Sequence, residues 1–286
     1  MGPVVEIRDP EDVRVADYRN LTDAQLRQRE EPLAGLFMVE GPAVISQLLA
    51  SAYPIRSMLL TEARWAELQA SFDANPGEWP VYLAANDVLR SITGFHFHRG
   101  ALAAASRRPP DDWRSVVAGQ RLIAVAEDIG DHENMGALFR NAAAFGVGAI
   151  LLSPGSVDPL YRRAVRVSMG HVLRVPWARV APWPAALDDL RASGFRVLAL
   201  TPDPAATAIG PVVGPVAVLL GAEGPGLTEA ALERADQRAR IPMQPGVDSL
   251  NVATAAAIAF HELSSEVNWC RLAVVRPNIS DPGDFQ

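Results

Sequence analysis

Short apolar runs alternate along most of the chain with stretches in which hydrophobic side chains recur every three or four positions. Runs of the first kind read as strands and stretches of the second kind as helices. Leu36-Phe37-Met38-Val39, residues 55–60 and Val81-Tyr82-Leu83 predict three strands, interleaved with helices over 42–50, 62–72 and 86–92. Pro42 suits the first turn of its helix, where a backbone N–H would have no partner. An apolar stretch follows at 101–105, and the Arg- and acid-rich first 35 residues predict one helix near 23–29 with loose flanks. Ser106-Arg107-Arg108-Pro109-Pro110-Asp111-Asp112 then interrupts the rhythm. Two prolines among charges continue neither a helix nor a central strand, so this segment predicts a linker. Beyond it the alternation sharpens into strands over 122–126, 147–152, 196–200, 216–220 and 239–241 and helices over 136–145, 159–169, 184–192, 229–234 and 251–262. Such alternation argues for an α/β fold built on a parallel sheet covered on both faces. Leu138, Ala142 and Phe145 share the buried face of the 136–145 helix. The expected organisation is a smaller α/β unit over 1–106 (1–15 loose), a linker over 107–118, a parallel-sheet unit over 119–270 and a poorly ordered tail over 271–286, where Pro277, Pro282 and Gly283 accumulate.

The 286 residues suit two compact units, and 49% hydrophobic with 21% charged residues is ordinary globular usage. No uninterrupted apolar run approaches the roughly 18 residues of a membrane-spanning helix. Residues 1–14 turn acidic where a secretory signal needs a positive start and an apolar core. The one cysteine, Cys270, forms no internal disulfide, and no Cys/His spacing suggests zinc, so a reducing, cytoplasmic setting without a structural metal is expected. Net charge is −7 and all 26 basic residues are arginine. The overall field does not steer this chain to nucleic acid, so any such partner requires a local basic patch.

Ligands of open parallel sheets sit beyond the carboxyl ends of the strands, which directs attention to three loops. The first runs Glu127-Asp128-Ile129-Gly130-Asp131-His132-Glu133-Asn134-Met135-Gly136 and leads into the helix carrying Arg140. Asn134 is expected at the helix N-cap, and Gly136 permits close approach of another chain or ligand. Taken alone, this loop is equally a capped helix with a solvated arginine. The second, Gly221-Ala222-Glu223-Gly224-Pro225-Gly226-Leu227-Thr228, sets three glycines around one carboxylate, either to lie against a ligand or as a turn that Thr228 caps. It lacks the Lys and Ser/Thr of a phosphate-binding P-loop, and no G-x-G-x-x-G opens any helix, which speaks against a nicotinamide-dependent oxidoreductase. In the third, Ile241-Pro242-Met243 precedes Ser249-Leu250-Asn251-Val252-Ala253, at the start of a helix rich in small side chains.

Taken together, Asn134-Met135-Gly136 with Arg140, Asn141 and Ala142, then Gly221 through Leu227, then Ile241-Pro242-Met243 with Ser249 through Ala253, resemble the three ordered motifs of SpoU-type (TrmH-like) RNA ribose methyltransferases of the SPOUT superfamily. Leu36-Phe37-Met38-Val39-Glu40-Gly41-Pro42 and the stretch 94–103 resemble the beginning and end of an L30e-like RNA-binding domain, so the likeness covers roughly 15–265. It implies a knotted, dimeric catalytic domain that binds S-adenosylmethionine at Leu200, Thr201, Gly221, Ala222, Glu223, Gly224, Ile241, Met243, Leu250, Asn251 and Ala253. It implies catalytic roles for Arg140, Asn134, Glu223, Ser249 and Asn251 in moving a methyl group from sulfonium to a ribose 2′-hydroxyl, with ribosomal RNA the expected substrate and transfer RNA the alternative. Because a guanidinium keeps its charge, Arg140 is better suited to grip the adjacent phosphate and stabilise the developing alkoxide than to act as a base. A non-catalytic RNA-binding protein on the same fold has no chemical need for all five residues.

Candidate RNA contacts are Arg162, Arg163 and Arg166, with Arg162 and Arg166 on one helical face, and Arg99 in Phe95-His96-Phe97-His98-Arg99. Arg166, Ser168 and Gly170 resemble a family stretch near the active site. For each arginine a solvated face is the competing reading, and for the histidines a buried strand.

Overall fold

The structure, a computed structural model, describes residues 2–19, 21, 31–94 and 100–264. The first part builds a five-stranded mixed sheet from β1 (Val4–Glu6), β2 (Leu36–Glu40), β3 (Ile55–Leu60), β4 (Val81–Leu83) and β5 (Ala101–Ser106), in the order β1-β4-β3-β5-β2. β4 runs parallel to β1 and β3, whereas β5 runs antiparallel to β2 and β3. Helices α1 (Pro42–Leu49), α2 (Glu62–Glu67), α3 (Gln69–Ala74) and α4 (Asn86–Thr93) connect these strands. The single helix expected over 62–72 is two short ones meeting at Leu68. Two elements near the amino terminus have no counterpart in the sequence reading: β1, and a 3-10 helix over Val13–Tyr18 that buries Val15 and Tyr18 under the sheet. The helix expected at 23–29 lies outside the described residues, as do residues 95–99 and the tail.

The second sheet has seven strands, all parallel: β6 (Leu122–Ala126), β7 (Ala149–Leu152), β8 (Trp177–Arg179), β9 (Arg196–Leu200), β10 (Thr207–Ala208), β11 (Val216–Leu220) and β12 (Gln237–Arg240), in the order β10-β12-β9-β11-β6-β7-β8. Around it lie α5 (Trp113–Val117), α6 (His132–Phe145), α7 (Arg162–Val167), α8 (Ala186–Ala192), α9 (Glu229–Leu232) and α10 (Val252–Ser264). Helix α5 falls within the 107–118 span read as linker, where Asp112 caps it by accepting a hydrogen bond from the Arg114 amide.

Side-chain alternation along the inner strands explains the two covered faces. Ala124, Ala126, Ile150, Leu152, Val218 and Leu220 point toward Leu138, Ala142 and Phe260, while Ile123, Val125, Leu151, Val197, Ala217 and Leu219 point toward Leu187, Leu190 and Phe195. The first of these clusters continues into the mixed sheet through Phe37, Val39, Val44 and Leu48.

Polar contacts reinforce that junction. Arg107 donates through both terminal nitrogens to Asp158, at 3.2 and 2.5 Å, and through Nε to the Leu36 carbonyl at 2.9 Å. Glu40, at the end of β2, faces Arg162 at 4.0 Å and Arg166 at 3.9 Å, both on α7.

Candidate active site

The carboxyl ends of β12, β9, β11 and β6, neighbours in one parallel sheet, lie along a single edge. The loops after β9, β11 and β12 line a cavity of about 590 Å³, and the loop after β6 reaches its edge through Asn134. Leu200 and Thr201 line it from β9, Gly221, Ala222, Glu223 and Gly224 from β11, and Ile241, Met243, Ser249, Leu250 and Asn251 from the segment after β12. Ala253, also expected among the cofactor contacts, lies outside the lining: it is buried in the first turn of α10, where its carbonyl accepts a hydrogen bond from Asn141 Nδ2 at 2.7 Å. That bond joins α10 to α6 and accounts for Ala253 as a packing residue.

Asn251 holds the three loops together. Its Nδ2 donates to Asn134 Oδ1 and to Glu223 Oε1, each at 2.8 Å. Its Oδ1 accepts from the amides of Ala253 at 3.0 Å and Thr254 at 3.2 Å, capping α10. Two acceptors on one side and two N–H groups on the other fix the orientation of the side-chain amide. Asn134 is free for this contact because it is not the cap of α6. That role falls to Asp131, whose extended backbone (φ −104°, ψ 129°) and carboxylate, accepting from the Glu133 and Asn134 amides at 2.7 and 2.9 Å, start the helix earlier than the sequence reading placed it.

The glycine loop is closed on itself. A Cβ on Gly221 would stand 2.4 Å from both the Gly226 carbonyl carbon and the Leu227 nitrogen, so the backbone contact excludes any side chain there. The Gly226 amide donates to the Ala222 carbonyl at 3.0 Å, and Gly224 and Gly226 take φ of 84° and 72°, which glycine adopts without strain. Below the loop, Glu127 is 1% exposed and accepts from the Thr228 amide (2.9 Å), the Thr228 hydroxyl (2.8 Å) and Trp183 Nε1 (2.7 Å). The sequence reading assigned Glu127 no role. Its signal is an acid directly behind a fully buried strand, which must find donors to be tolerated there.

Arg140 projects from α6 into solvent, and among the described residues it makes no hydrogen bond and no ion pair. It does act on His171, in the 3-10 turn His171–Leu173 packed beside α6. Burial pushes the His171 imidazole below its usual range, and the nearby Arg140 and Arg174 guanidinium groups push it the same way. The α7 arginines are placed differently from one another. Arg162 donates to the Leu21 carbonyl at 3.1 Å and faces Glu40, so it is engaged between the sheets and does not extend from an open basic face. Arg163 pairs with Glu133 at 2.5 Å, and Arg166, facing Glu40, keeps 40% of its side chain exposed. Arg99 lies outside the described residues.

The SpoU rRNA Methylase family matches residues 121–261. An uncharacterized tRNA/rRNA methyltransferase of Mycobacterium tuberculosis is 48% identical over 264 residues, covering 91% of either chain. A 23S rRNA (guanosine-2′-O-)-methyltransferase of Acinetobacter baylyi is 30% identical over 197 residues, covering 66% of this chain and 79% of the relative. Among solved structures, an AdoMet-bound rRNA methyltransferase from Sinorhizobium meliloti superposes with a TM-score of 0.74 at 28% identity, covering 93% of this chain and all of the other. With a parallel sheet whose loops converge as the three motifs require, the chain belongs to the SpoU methylase family of RNA methyltransferases.

Proposed function

We propose that this protein is an S-adenosylmethionine-dependent RNA 2′-O-methyltransferase that modifies a ribose in ribosomal RNA. The observation that carries this reading is the Asn251 amide bridging Asn134 and Glu223 at the edge of the cavity, with Arg140 unpaired on the same helix as Asn134. A relative that methylates a guanosine 2′-oxygen of 23S rRNA supports the choice of atom and of RNA.

The cavity suits the methyl donor. Its volume of about 590 Å³ lies in the range of small-molecule sites, and its wall at Gly221 is bare backbone, able to approach a flat nucleoside closely. Bound there, the sulfonium supplies an electrophilic methyl group. The chain's own residues hold and orient: Asn251 sets the distance between the glycine loop and α6, Glu127 anchors the far end of that loop through Thr228, and Ser249 lines the opening. Arg140 grips a backbone phosphate and stabilises negative charge developing on the attacking oxygen, with the proton leaving to phosphate or water. In this reading the mixed-sheet unit is L30e-like and binds structured RNA, and two copies assemble through the parallel-sheet units.

The test is transfer of labelled methyl from S-adenosylmethionine to unmodified RNA, followed by mapping. A single 2′-O-methylated ribose in ribosomal RNA is expected. Label confined to transfer RNA would move the substrate, label on a base would overturn the ribose assignment, and cofactor binding without transfer to any RNA would favour a non-catalytic role.

A further inference from the structure

The turn Ser168-Met169-Gly170 connects α7 to the His171–Leu173 turn. It is firmly anchored. Ser168 is fully buried, and its hydroxyl donates to the Val165 carbonyl at 2.8 Å. The Met169 and Gly170 amides bond back to Arg166 and Val165 at 3.1 and 3.0 Å, and the His171 amide to Ser168 at 3.0 Å. The turn is also keyed to the helix that carries Arg140. A Cβ on Gly136 of α6 would stand 2.6 Å from the Ala164 carbonyl and 3.1 Å from the Ser168 nitrogen, so glycine alone allows this approach. On the other side Gly170 lies against Gln47 and Val44 of α1.

Within this rigid setting Met169 combines two features that do not help folding. Its φ of 53° is left-handed, a conformation that crowds an L side chain against its own backbone, and the residue is 37% exposed. Glycine would fill the turn without either disadvantage. Strained residues that persist in well-anchored surroundings concentrate at functional sites. The neighbourhood is cationic: Arg166 is half exposed, Arg174 is exposed and donates to Gln47 Oε1 at 3.3 Å, and Arg140 lies close enough to shift His171.

We propose that Met169 is a substrate-contact residue, packing its thioether against the base of a nucleotide that flanks the methylated ribose. A thioether is polarizable, and its flexible chain adapts to aromatic faces, while unstacked bases in RNA loops offer such faces. Arg140, Arg166 and Arg174 hold the phosphates on either side. Arg140 and Met169 are then fixed relative to each other through the Gly136 contact, so the base is read at a set distance from the reacting sugar. This inference rests on the reading of the protein as an RNA methyltransferase and adds a residue that selects the substrate.

Met169→Gly and Met169→Leu test it. For Met169→Gly, the melting temperature and the affinity for S-adenosylmethionine should be unchanged or improved. KM for unmodified ribosomal RNA should rise about tenfold, the scale of one lost base contact, with little change in kcat. The slope of RNA affinity against salt should stay the same, because no phosphate contact is removed, and Met169→Leu should recover most of the loss. Unchanged RNA binding and KM in Met169→Gly would overturn the proposal, and so would a fall in melting temperature with a matching loss of cofactor affinity. If the unsubstituted protein transferred no methyl group at all, the methyltransferase reading would fail separately. The RNA-binding comparison of the same variants would then still decide the role of Met169.

Discussion

The inner end of β6 and the outer face of α6 belong to one loop–helix unit, yet they treat charge in opposite ways. Glu127, directly behind the strand, is buried with every donor around it committed to its carboxylate. Arg140, on the helix, stands in solvent with no hydrogen bond or ion pair among the described residues. A buried charge without partners is too costly to keep, so Glu127's bonds are explained by folding alone. An exposed arginine needs no partner to be stable, so the fold neither requires Arg140 at this position nor engages it, which leaves it available for the catalytic role proposed above. Asn251 lies between the extremes, since half of its amide caps a helix and the other half ties two loops that the cap does not require.

Substitutions that separate stability from turnover sharpen this contrast. Arg140→Ala should have the largest effect, lowering methyl transfer by at least about 10²-fold, the scale of a lost transition-state donor. Calorimetry and thermal melting should find its cofactor affinity and stability close to those of the parent. A variant that turned over normally would erase the distinction between the two regions. Glu127→Ala should do the reverse first. It leaves Thr228 and Trp183 donors unpaired, and chemical denaturation should report a loss of roughly 2–4 kcal/mol. Cofactor binding should weaken as the anchored end of the glycine loop loosens.

A smaller effect belongs to His171. Its folded pKa is lowered by burial and then by Arg140 and Arg174, so the unfolded chain takes up a proton first as pH falls below the usual 6.5. Stability should therefore decline below pH 6.5 and level off once the folded imidazole also titrates, with no contribution above it. His132, lowered mainly by burial, acts in the same direction and keeps part of the slope. Melting curves of His171→Gln between pH 7.5 and 5.5 should show a shallower decline than the parent.

Much of this was legible in the sequence, for a physical reason. Strands buried on both faces are continuous apolar runs, and β3, β4, β6, β9 and β11 begin and end where the sequence pattern placed them. The edge strands β1, β8 and β10 are two or three residues long and partly exposed, so they carry no such run. The glycine loop and Asn251 were identifiable because their residue types and order are unusual. Asp131 was not, because a capping aspartate is defined by the amides it accepts from, and the position of Glu127 behind a buried strand says only that it needs donors, not that Thr228 and Trp183 supply them. The α7 arginines mark the same limit. Helical spacing put Arg162 and Arg166 on one face, but only the packed structure shows that this face meets Glu40 of the other sheet. Met169 is invisible in a string of letters, since its distinction lies in a backbone angle.

The central claim is that Asn251 joins three strand-end loops into one site, and Asn251→Asp tests it most directly. The substitution keeps the oxygen that caps α10 but replaces the bridging donor with an acceptor facing Asn134 Oδ1 and Glu223. Calorimetric titration with S-adenosylmethionine should show affinity reduced about tenfold or more, with the melting temperature nearly unchanged. Parental affinity in a variant folded as stably as the parent would contradict the account.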